Sequence, residues 1–269
     1  MNPYFFGSTN RRLFGVHLVG RAHGKRGNAR AVVLCPPWGQ EYLRAHRSLR
    51  RLGDLIAAEG CDVLRFDYFG TGDSGGDGSD ASLRGWESDI DTAIDELKDI
   101  AGVGRVALVG LRLGATLAAR VAERRNREVS ALVLWDPIVS GQAYVEELLE
   151  AARMREHAAE RPIQRELQSG GGYELLGFSL PDAMLRELAQ LRLAPSDVGW
   201  VCKTHCVVSQ GPEAEAQLRS LAEHPKAAAT FAAIPGRPPW IEADQIMTGE
   251  VPVALLHHVA KVLVDGTHR

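Results

Sequence analysis

The stretch Val106-Ala-Leu-Val-Gly110-Leu-Arg112-Leu-Gly114-Ala-Thr-Leu-Ala118 decides the fold of this chain. It begins with an apolar run typical of a buried strand, turns sharply between two glycines and continues with helix-forming residues. The frame G-x-X-x-G predicts a nucleophile elbow, in which a strained turn holds the central residue above a sheet. Arg112 occupies that central position.

Strands and helices alternate on both sides of the elbow. The sequence predicts strands at 13–19, 31–35, 61–66, 106–110, 131–135, 204–209 and 229–234. It predicts helices at about 42–59, 86–100, 113–123, 213–223 and 253–264. This order is typical of a mostly parallel twisted sheet with helices on both faces, so the predicted fold class is α/β.

One segment breaks the alternation. Between residues 138 and 199 the chain has helical stretches rich in Glu and Arg, broken by three consecutive glycines, and no strong buried strand. We therefore predict one core in two parts, 1–137 and 201–269, with a helical lid insertion at 138–200. A chain of 269 residues is within the range of one such domain.

Three further motifs agree with the elbow. They are Cys35-Pro-Pro-Trp-Gly-Gln-Glu41, Arg65-Phe-Asp-Tyr-Phe-Gly-Thr-Gly-Asp-Ser74 and Leu134-Trp-Asp-Pro137. Together with the elbow they resemble the α/β-hydrolase superfamily, and within it the bacterial proteins related to the second type of exosortase-A-associated hydrolase. The resemblance covers roughly residues 5–145 and implies an α/β-hydrolase fold. It also implies that arginine at the elbow is a frequent feature of such proteins.

Hydrolysis by a serine also needs a base, normally a histidine in the loop after the last strand. That loop, residues 235–250, contains no histidine. His257 shares a helical face with Val253 and Ala260, and we interpret it as a partly buried helix residue. Ser74 follows a glycine-rich turn, where we expect it to bond the backbone. The sequence therefore predicts that both the serine nucleophile and the histidine base are missing.

Arg112 has two alternative roles. Its guanidinium and the amides at the helix start could hold a carboxylate or phosphate of a ligand. Alternatively, it pairs internally with a carboxylate, because an unpaired buried arginine is costly. The candidate internal partners are Asp73, Asp136, Glu242 and Asp244.

The predicted site contains six residues. Arg112 is the electrostatic clamp, and Asp136 is a relic of the catalytic acid position. The amides near Trp38, Gly39 and Leu113 would contact the substrate, because the fold places its oxyanion hole there. Cys35 lies beside them at a strand end, although a buried cysteine is usually inert.

Two functions follow. The first is an enzyme or former enzyme that binds or transforms an acyl or carboxylate-bearing small molecule without a serine, in a polysaccharide or secondary-metabolite pathway. It predicts an open pocket under the insertion. The second is a non-catalytic binding or scaffold protein, which predicts a pocket closed by an Arg112 ion pair. If the chain is active, the ester or thioester class is expected.

Composition excludes several partners. The net charge of −3, from 31 basic and 34 acidic residues, provides no field for nucleic acid. The sequence has no apolar run long enough to span a membrane and no signal-peptide pattern, so we expect a cytoplasmic protein without membrane insertion. A homodimer or a pathway protein remain as alternative partners. We expect no cofactor and no disulfide.

We also expect no metal. Cys202, His205 and Cys206 are close in sequence, but alternation along a strand would point His205 away from Cys206.

Overall fold

The computed structural model describes residues 1–20, 30–159, 171–175, 177–198, 203–225, 227, 229–234 and 251–266. Its strands are β1 (Asn2–Ser8), β2 (Arg11–Leu18), β3 (Arg30–Cys35), β4 (Cys61–Phe66), β5 (Val106–Leu111), β6 (Val129–Trp135), β7 (Gly172–Leu175), β8 (Phe178–Pro181), β9 (Thr204–Val208) and β10 (Ala229–Ala233). Its α-helices are α1 (Gly39–Ala58), α2 (Leu83–Ala101), α3 (Leu113–Arg124), α4 (Gly141–Ala159), α5 (Asp182–Gln190), α6 (Pro212–Ala222) and α7 (Val253–Gly266).

Eight strands form one sheet in the order β1-β2-β4-β3-β5-β6-β9-β10. In this sheet the ladders that join β4, β3, β5, β6, β9 and β10 are parallel, whereas β2 pairs antiparallel with both β1 and β4. β5, which carries the elbow, lies near the middle of the sheet between β3 and β6. The structure confirms the predicted α/β class and mostly parallel sheet.

Helices cover both faces of the sheet because neighbouring residues of a buried strand point to opposite sides. On β5, Leu108 joins the apolar cluster that contains Trp86 of α2 and Leu117 of α3. The next residue, Val109, joins the second cluster, with Leu52 of α1 and Leu256 of α7. This double burial explains why the central strands are continuous apolar runs.

Two features of the sheet were not predicted. β1 forms an antiparallel hairpin with β2, and β7 pairs antiparallel with β8 as a separate two-stranded sheet between α4 and α5. β7 and β8 have only four residues each, too few to show a clear alternation of polar and apolar residues. The loop at 235–250 lies outside the described residues, and the division at 137 and 200 stays a prediction.

His205 of β9 and His258 of α7 contact each other on the face of the sheet that α7 covers. His205 Nε2 lies 2.9 Å from His258 Nε2, and His205 Nδ1 lies 2.5 Å from the hydroxyl of Thr230. Thr230 donates its own proton to the carbonyl of Thr204, so it accepts from His205 Nδ1–H. His205 Nε2 therefore accepts from His258.

Cys206 packs in the cluster on the opposite face of the sheet, in agreement with the predicted alternation. Cys35, Cys61 and Cys206 are buried free thiols. His257 is exposed, so its interpretation as a partly buried residue is wrong. The buried face of α7 instead carries Leu256 and Val259.

Across the described ranges, none of the helices combines the length and the apolar character needed to cross a membrane.

We expect Gly114→Ala to lower the free energy of unfolding by about 3 kcal/mol, through overpacking against rigid backbone. A Cβ at Gly114 would stand 2.2 Å from the carbonyl oxygen of Pro36 and 2.4 Å from that of Cys35. Gly104→Ala is the matched control, because its Cβ would meet nothing within 4 Å. Urea unfolding measures both, and equal stability of the two variants would contradict the tight contact beneath the elbow.

We expect His205 to make stability fall as the pH drops from about 6.5 to 4. Burial, aided by His258, lowers the pKa of His205 from 6.5 to about 4. In that window the unfolded chain binds a proton that the folded chain does not, so acid favours unfolding. Denaturant unfolding at several pH values should show a smaller acid-dependent loss in His205→Gln, whereas the exposed control His257→Gln should behave like the wild type. Identical pH profiles for all three proteins would refute this.

Candidate functional site

The elbow is present and its backbone is strained. Arg112 lies between the last residue of β5 and the first of α3, with φ 53° and ψ −122°, a left-handed conformation that costs a non-glycine residue about 1–3 kcal/mol. Its amide donates to the carbonyl of Trp135 at 2.9 Å, and its carbonyl accepts from the amides of Ala115 and Thr116. These bonds hold the turn, and the predicted position of Arg112 at the sheet's apex is confirmed.

Two carboxylates hold the guanidinium of Arg112. Nε donates to Glu41 Oε1 at 2.6 Å, and Nη2 donates to both oxygens of Glu147 at 2.7 and 2.8 Å. Glu41 lies in the first turn of α1, and Glu147 lies on α4. The side chains of Arg112 and Glu41 are 5% and 9% exposed, whereas that of Glu147 is 52% exposed.

An internal ion pair was one of the two roles considered for Arg112, but the partners named for it did not include Glu41 or Glu147. Neither Asp73 nor Asp136 pairs with Arg112, so both were wrong as partners. Glu242 and Asp244 lie outside the described residues. Glu41 belongs to a motif that the sequence analysis quoted, and its place two residues after Gly39 in an acidic helix start was the signal that could have identified it.

Tyr144 completes the cluster. Its hydroxyl donates to Glu41 Oε2 at 2.9 Å, and Arg112 Cζ lies 5.3 Å from the centre of its ring. Tyr144 and Glu147 are three residues apart on α4, so they share one face of that helix. The inner carboxylate of Glu41 is therefore bonded through both oxygens, as a buried charge requires.

Both carboxylates of this cluster stabilise the charge of Arg112. Burial alone would lower the pKa of Arg112, but the charges of Glu41 and Glu147 outweigh it and raise the pKa above its ordinary value. Burial raises the pKa of Glu41, and the like charge of Glu147 adds to that rise, while Arg112 and the Tyr144 hydroxyl work against it. Arg112 thus stays protonated at any physiological pH, and its guanidinium can act neither as a nucleophile nor as a base.

A cavity of about 120 Å³ lies beside the cluster, between the elbow, α4 and α6. Its polar lining includes Arg112, Asp136, Ser140, Glu147, Gln210 and Gln217. Ile138, Val139, Val208 and Leu218 contribute apolar walls. No histidine is found in the lining that the described residues form.

The carboxylate of Asp136 joins two strand ends through hydrogen bonds from Ser209. Its carboxylate accepts from the amide of Ser209 at 2.8 Å and from the Ser209 hydroxyl at 2.5 Å, and its side chain is buried. Its φ is 44°, a second strained residue at this edge of the sheet. Asp136 therefore joins the end of β6 to the turn after β9 and also lines the cavity.

The other four predicted site residues do not line the cavity. Trp38 is buried between Trp86 and Phe178, with ring centres 6.4 and 6.2 Å away. Phe178, from β8, also lies over Gly39, whose φ is 64°. Phe178 was missed because β8 itself was not predicted.

Leu113 and Cys35 are also buried. The Leu113 side chain is in the core, and its amide stands at the start of α3. Cys35 is fully buried at the end of β3, where burial raises the pKa of its thiol far above the ordinary value. A thiol in this state is neither a ready nucleophile nor a contact for a molecule in the cavity. Ser74 bonds the backbone as expected, accepting from the amide of Phe14 and donating to the carbonyl of Asp67.

Comparisons with solved structures agree on the fold. Est1E of Butyrivibrio proteoclasticus, solved with bound ferulic acid, matches with a TM-score of 0.70 at 16% identity, covering 99% of this chain and 100% of its own. The alpha/beta hydrolase domain-containing protein 10 from mouse matches with a TM-score of 0.60 at 16% identity, covering 98% and 99%. At these identities the likeness concerns the fold alone.

Sequence relatives point the same way. The mitochondrial palmitoyl-protein thioesterase of Homo sapiens is 30% identical over 108 residues, which are 40% of this chain and 33% of that protein. The matching part thus spans about a third of the relative's length. The family model described as serine aminopeptidase, S33, matches residues 28–175, more than half of the chain. This chain therefore belongs to the S33 serine aminopeptidase family of the α/β-hydrolase superfamily.

Proposed function

We propose that this protein binds a carboxylate-bearing acyl molecule in the cavity beside Arg112, and that it does not hydrolyse esters through a serine–histidine pair. One observation carries the proposal. Both oxygens of the half-exposed Glu147 carboxylate accept hydrogen bonds from Nη2 of Arg112, at the wall of a cavity. A ligand carboxylate placed there would make the same contacts.

Arg112 is suited to hold such a group. Its inner nitrogen Nε is fixed by Glu41, which Tyr144 holds in turn. The guanidinium therefore cannot swing away, and only its outer edge is left for exchange. Charge-assisted hydrogen bonds from a fixed arginine to a carboxylate are among the stronger polar contacts in proteins.

Glu147 can be displaced at low cost. Its side chain is half exposed, so water can solvate the carboxylate once it leaves Arg112. A ligand carboxylate would remake the bonds to Nη2 that Glu147 gives up, so the buried guanidinium would keep its partner during the exchange. Exchange of one carboxylate for another also leaves the charge of the cluster unchanged.

The cavity and the relatives support an acyl ligand. Apolar walls from Ile138, Val139 and Leu218 adjoin the charged end of the cavity. At about 30 Å³ per water, 120 Å³ holds roughly four water molecules, so a short acyl chain fits. A palmitoyl-protein thioesterase is among the sequence relatives, and a structural neighbour, Est1E, was solved with ferulic acid, a carboxylic acid.

A second candidate is a non-catalytic scaffold. It is favoured by the pairing of Arg112, whose charge Glu41 and Glu147 already neutralise without any ligand. The cytoplasmic location and a role in a polysaccharide or secondary-metabolite pathway remain predictions under either candidate.

We expect Glu147→Gln to bind butyrate about two- to fivefold more tightly than the wild type, because the competing carboxylate is removed. Glu146→Gln is the matched control, since Glu146 is a neighbouring exposed residue that bonds Gln142. Isothermal titration calorimetry measures both, with butyramide as the uncharged analogue.

Arg112→Met combined with Glu41→Gln should weaken butyrate binding at least tenfold, and butyramide should bind no variant better than another. Equal butyrate affinities in the Glu147 and Glu146 variants, or no binding by any protein, would overturn the ligand proposal and favour the scaffold.

We expect Arg112→Ser combined with Glu41→Gln to show no turnover of p-nitrophenyl butyrate above the wild-type background. The new hydroxyl would lack a base, because no histidine lines the described part of the cavity and the loop at 235–250 contains none. Circular dichroism and thermal melting check that the variant folds. Turnover that disappears on mutation of one histidine would show that a base is within reach of residue 112.

A further inference from the structure

A second arginine, Arg65, stands at an unusual place in the sheet. It is the fifth residue of β4, paired in register with Val16 of β2, and its stem packs against α1. A Cβ on Gly53 of α1 would lie 3.5 Å from Arg65 Cδ. Two residues earlier, Val63 occupies the same face and is fully buried. Arg65 thus puts a charge where this face of the strand is otherwise apolar.

Arg65 has no partner for that charge among the residues that the structure describes. Its Nε is buried and has no hydrogen-bond acceptor. No carboxylate lies within ion-pair distance of its guanidinium, although Asp54 and Asp67 are near enough to act on it electrostatically. A buried donor without an acceptor costs free energy, so this arrangement needs an explanation.

The nearest acid is already engaged. Asp67 Oδ1 accepts from the hydroxyl of Tyr42 at 2.5 Å, and Oδ2 accepts from the amide of Asp73 at 3.0 Å. Both oxygens therefore belong to the turn after β4. Asp67 moderates the charge of Arg65 from a distance and does not neutralise it.

Arg65 lines a cleft of about 90 Å³ between α1 and the strands β2, β3 and β4. Phe14, Leu34 and Leu49 are among its apolar walls, and Tyr42, His46, Asp67 and Asp73 are its other polar lining residues. Burial lowers the pKa of His46, and the charges of Arg65 and Arg50 lower it further, whereas Asp67 raises it. Arg65 is therefore the cation of a cleft that also contains two acids, and Asp67 already has both of its oxygens in hydrogen bonds.

We propose that this cleft binds a small oxyanion, a carboxylate or phosphate group, with Arg65 as its principal donor. The guanidinium offers Nε and its terminal nitrogens in a planar fork that matches two oxygens of such a group. At about 30 Å³ per water, the volume corresponds to roughly three water molecules, which suits an anion of four or five heavy atoms. The group can be a free ion or the charged end of a longer molecule.

This site is separate from the cavity beside Arg112. The two share no lining residue, and they are formed by different helices, α1 here and α4 with α6 there. A finding for one site therefore does not decide the other. Because the two sites are separate, either one can be removed by mutation while the other stays intact.

The test uses Arg65→Met, which keeps the apolar stem and removes the charge, with Arg51→Met as the matched control on the exposed side of α1. Acetate and inorganic phosphate are titrated at constant ionic strength against chloride, by thermal melting and by calorimetry. All proteins also carry Arg112→Met with Glu41→Gln, so that the first site cannot contribute. The histidine ring resonances are followed by NMR, because His46 lines the cleft.

We expect a saturable rise in melting temperature with acetate or phosphate, and a shift of the His46 resonance, in the Arg65-containing protein and in the Arg51 control. Arg65→Met should weaken binding at least tenfold and abolish the resonance shift. Without anion it should melt at or above the temperature of its parent, because an unpaired charge has been replaced by an apolar group of similar size.

A lower melting temperature of Arg65→Met with unchanged anion binding would show that Arg65 is structural and overturn the proposal. Equal losses of anion affinity in the Arg65 and Arg51 variants would show that the anions only screen surface charge, and this result would also overturn the proposal. Absence of any anion effect in the parent protein would also refute it.

Discussion

The ion pair between Arg112 and Glu41 is the interaction on which the site depends. It joins the elbow after β5 to the first turn of α1, two segments that are 71 residues apart in the sequence. Both groups are nearly inaccessible to water, so each is tolerable only because the other is present. Tyr144 and Glu147 then attach α4 to this pair, and the wall of the cavity is formed as a result.

The elbow itself does not depend on the side chain at its centre. Its backbone is determined by the Trp135 carbonyl, by the first amides of α3 and by the lack of room for a Cβ at Gly110 and Gly114. These constraints impose a positive φ on any residue at position 112. An arginine can therefore occupy the position with the scaffold intact, and its guanidinium can pair with carboxylates but cannot act as a nucleophile.

Much of the fold could be predicted because the information is local. Continuous apolar runs bounded by glycine or proline predict the central strands, and the glycine frame predicts the elbow. The partners of Arg112 could not be predicted in this way. Glu41 and Glu147 approach it only through the packing of α1 and α4, whereas the oxygens of Asp136, a candidate partner, accept from Ser209. His257 was misplaced because it was grouped with Val253 and Ala260, of which only Ala260 is buried.

Arg112, which is buried, and Arg65, which is half-buried, show two ways in which a chain can carry a cation at an α/β sheet. Arg112 is compensated by carboxylates from the chain, so its charge contributes to structure whether or not a ligand is bound. Arg65 has a buried donor with no acceptor in the described chain, so its free-energy cost is offset only when something from outside supplies one. An oxyanion bound in the cleft at α1 would supply that acceptor, which is the role that we propose for Arg65. The cleft shares no lining residue with the cavity beside the elbow.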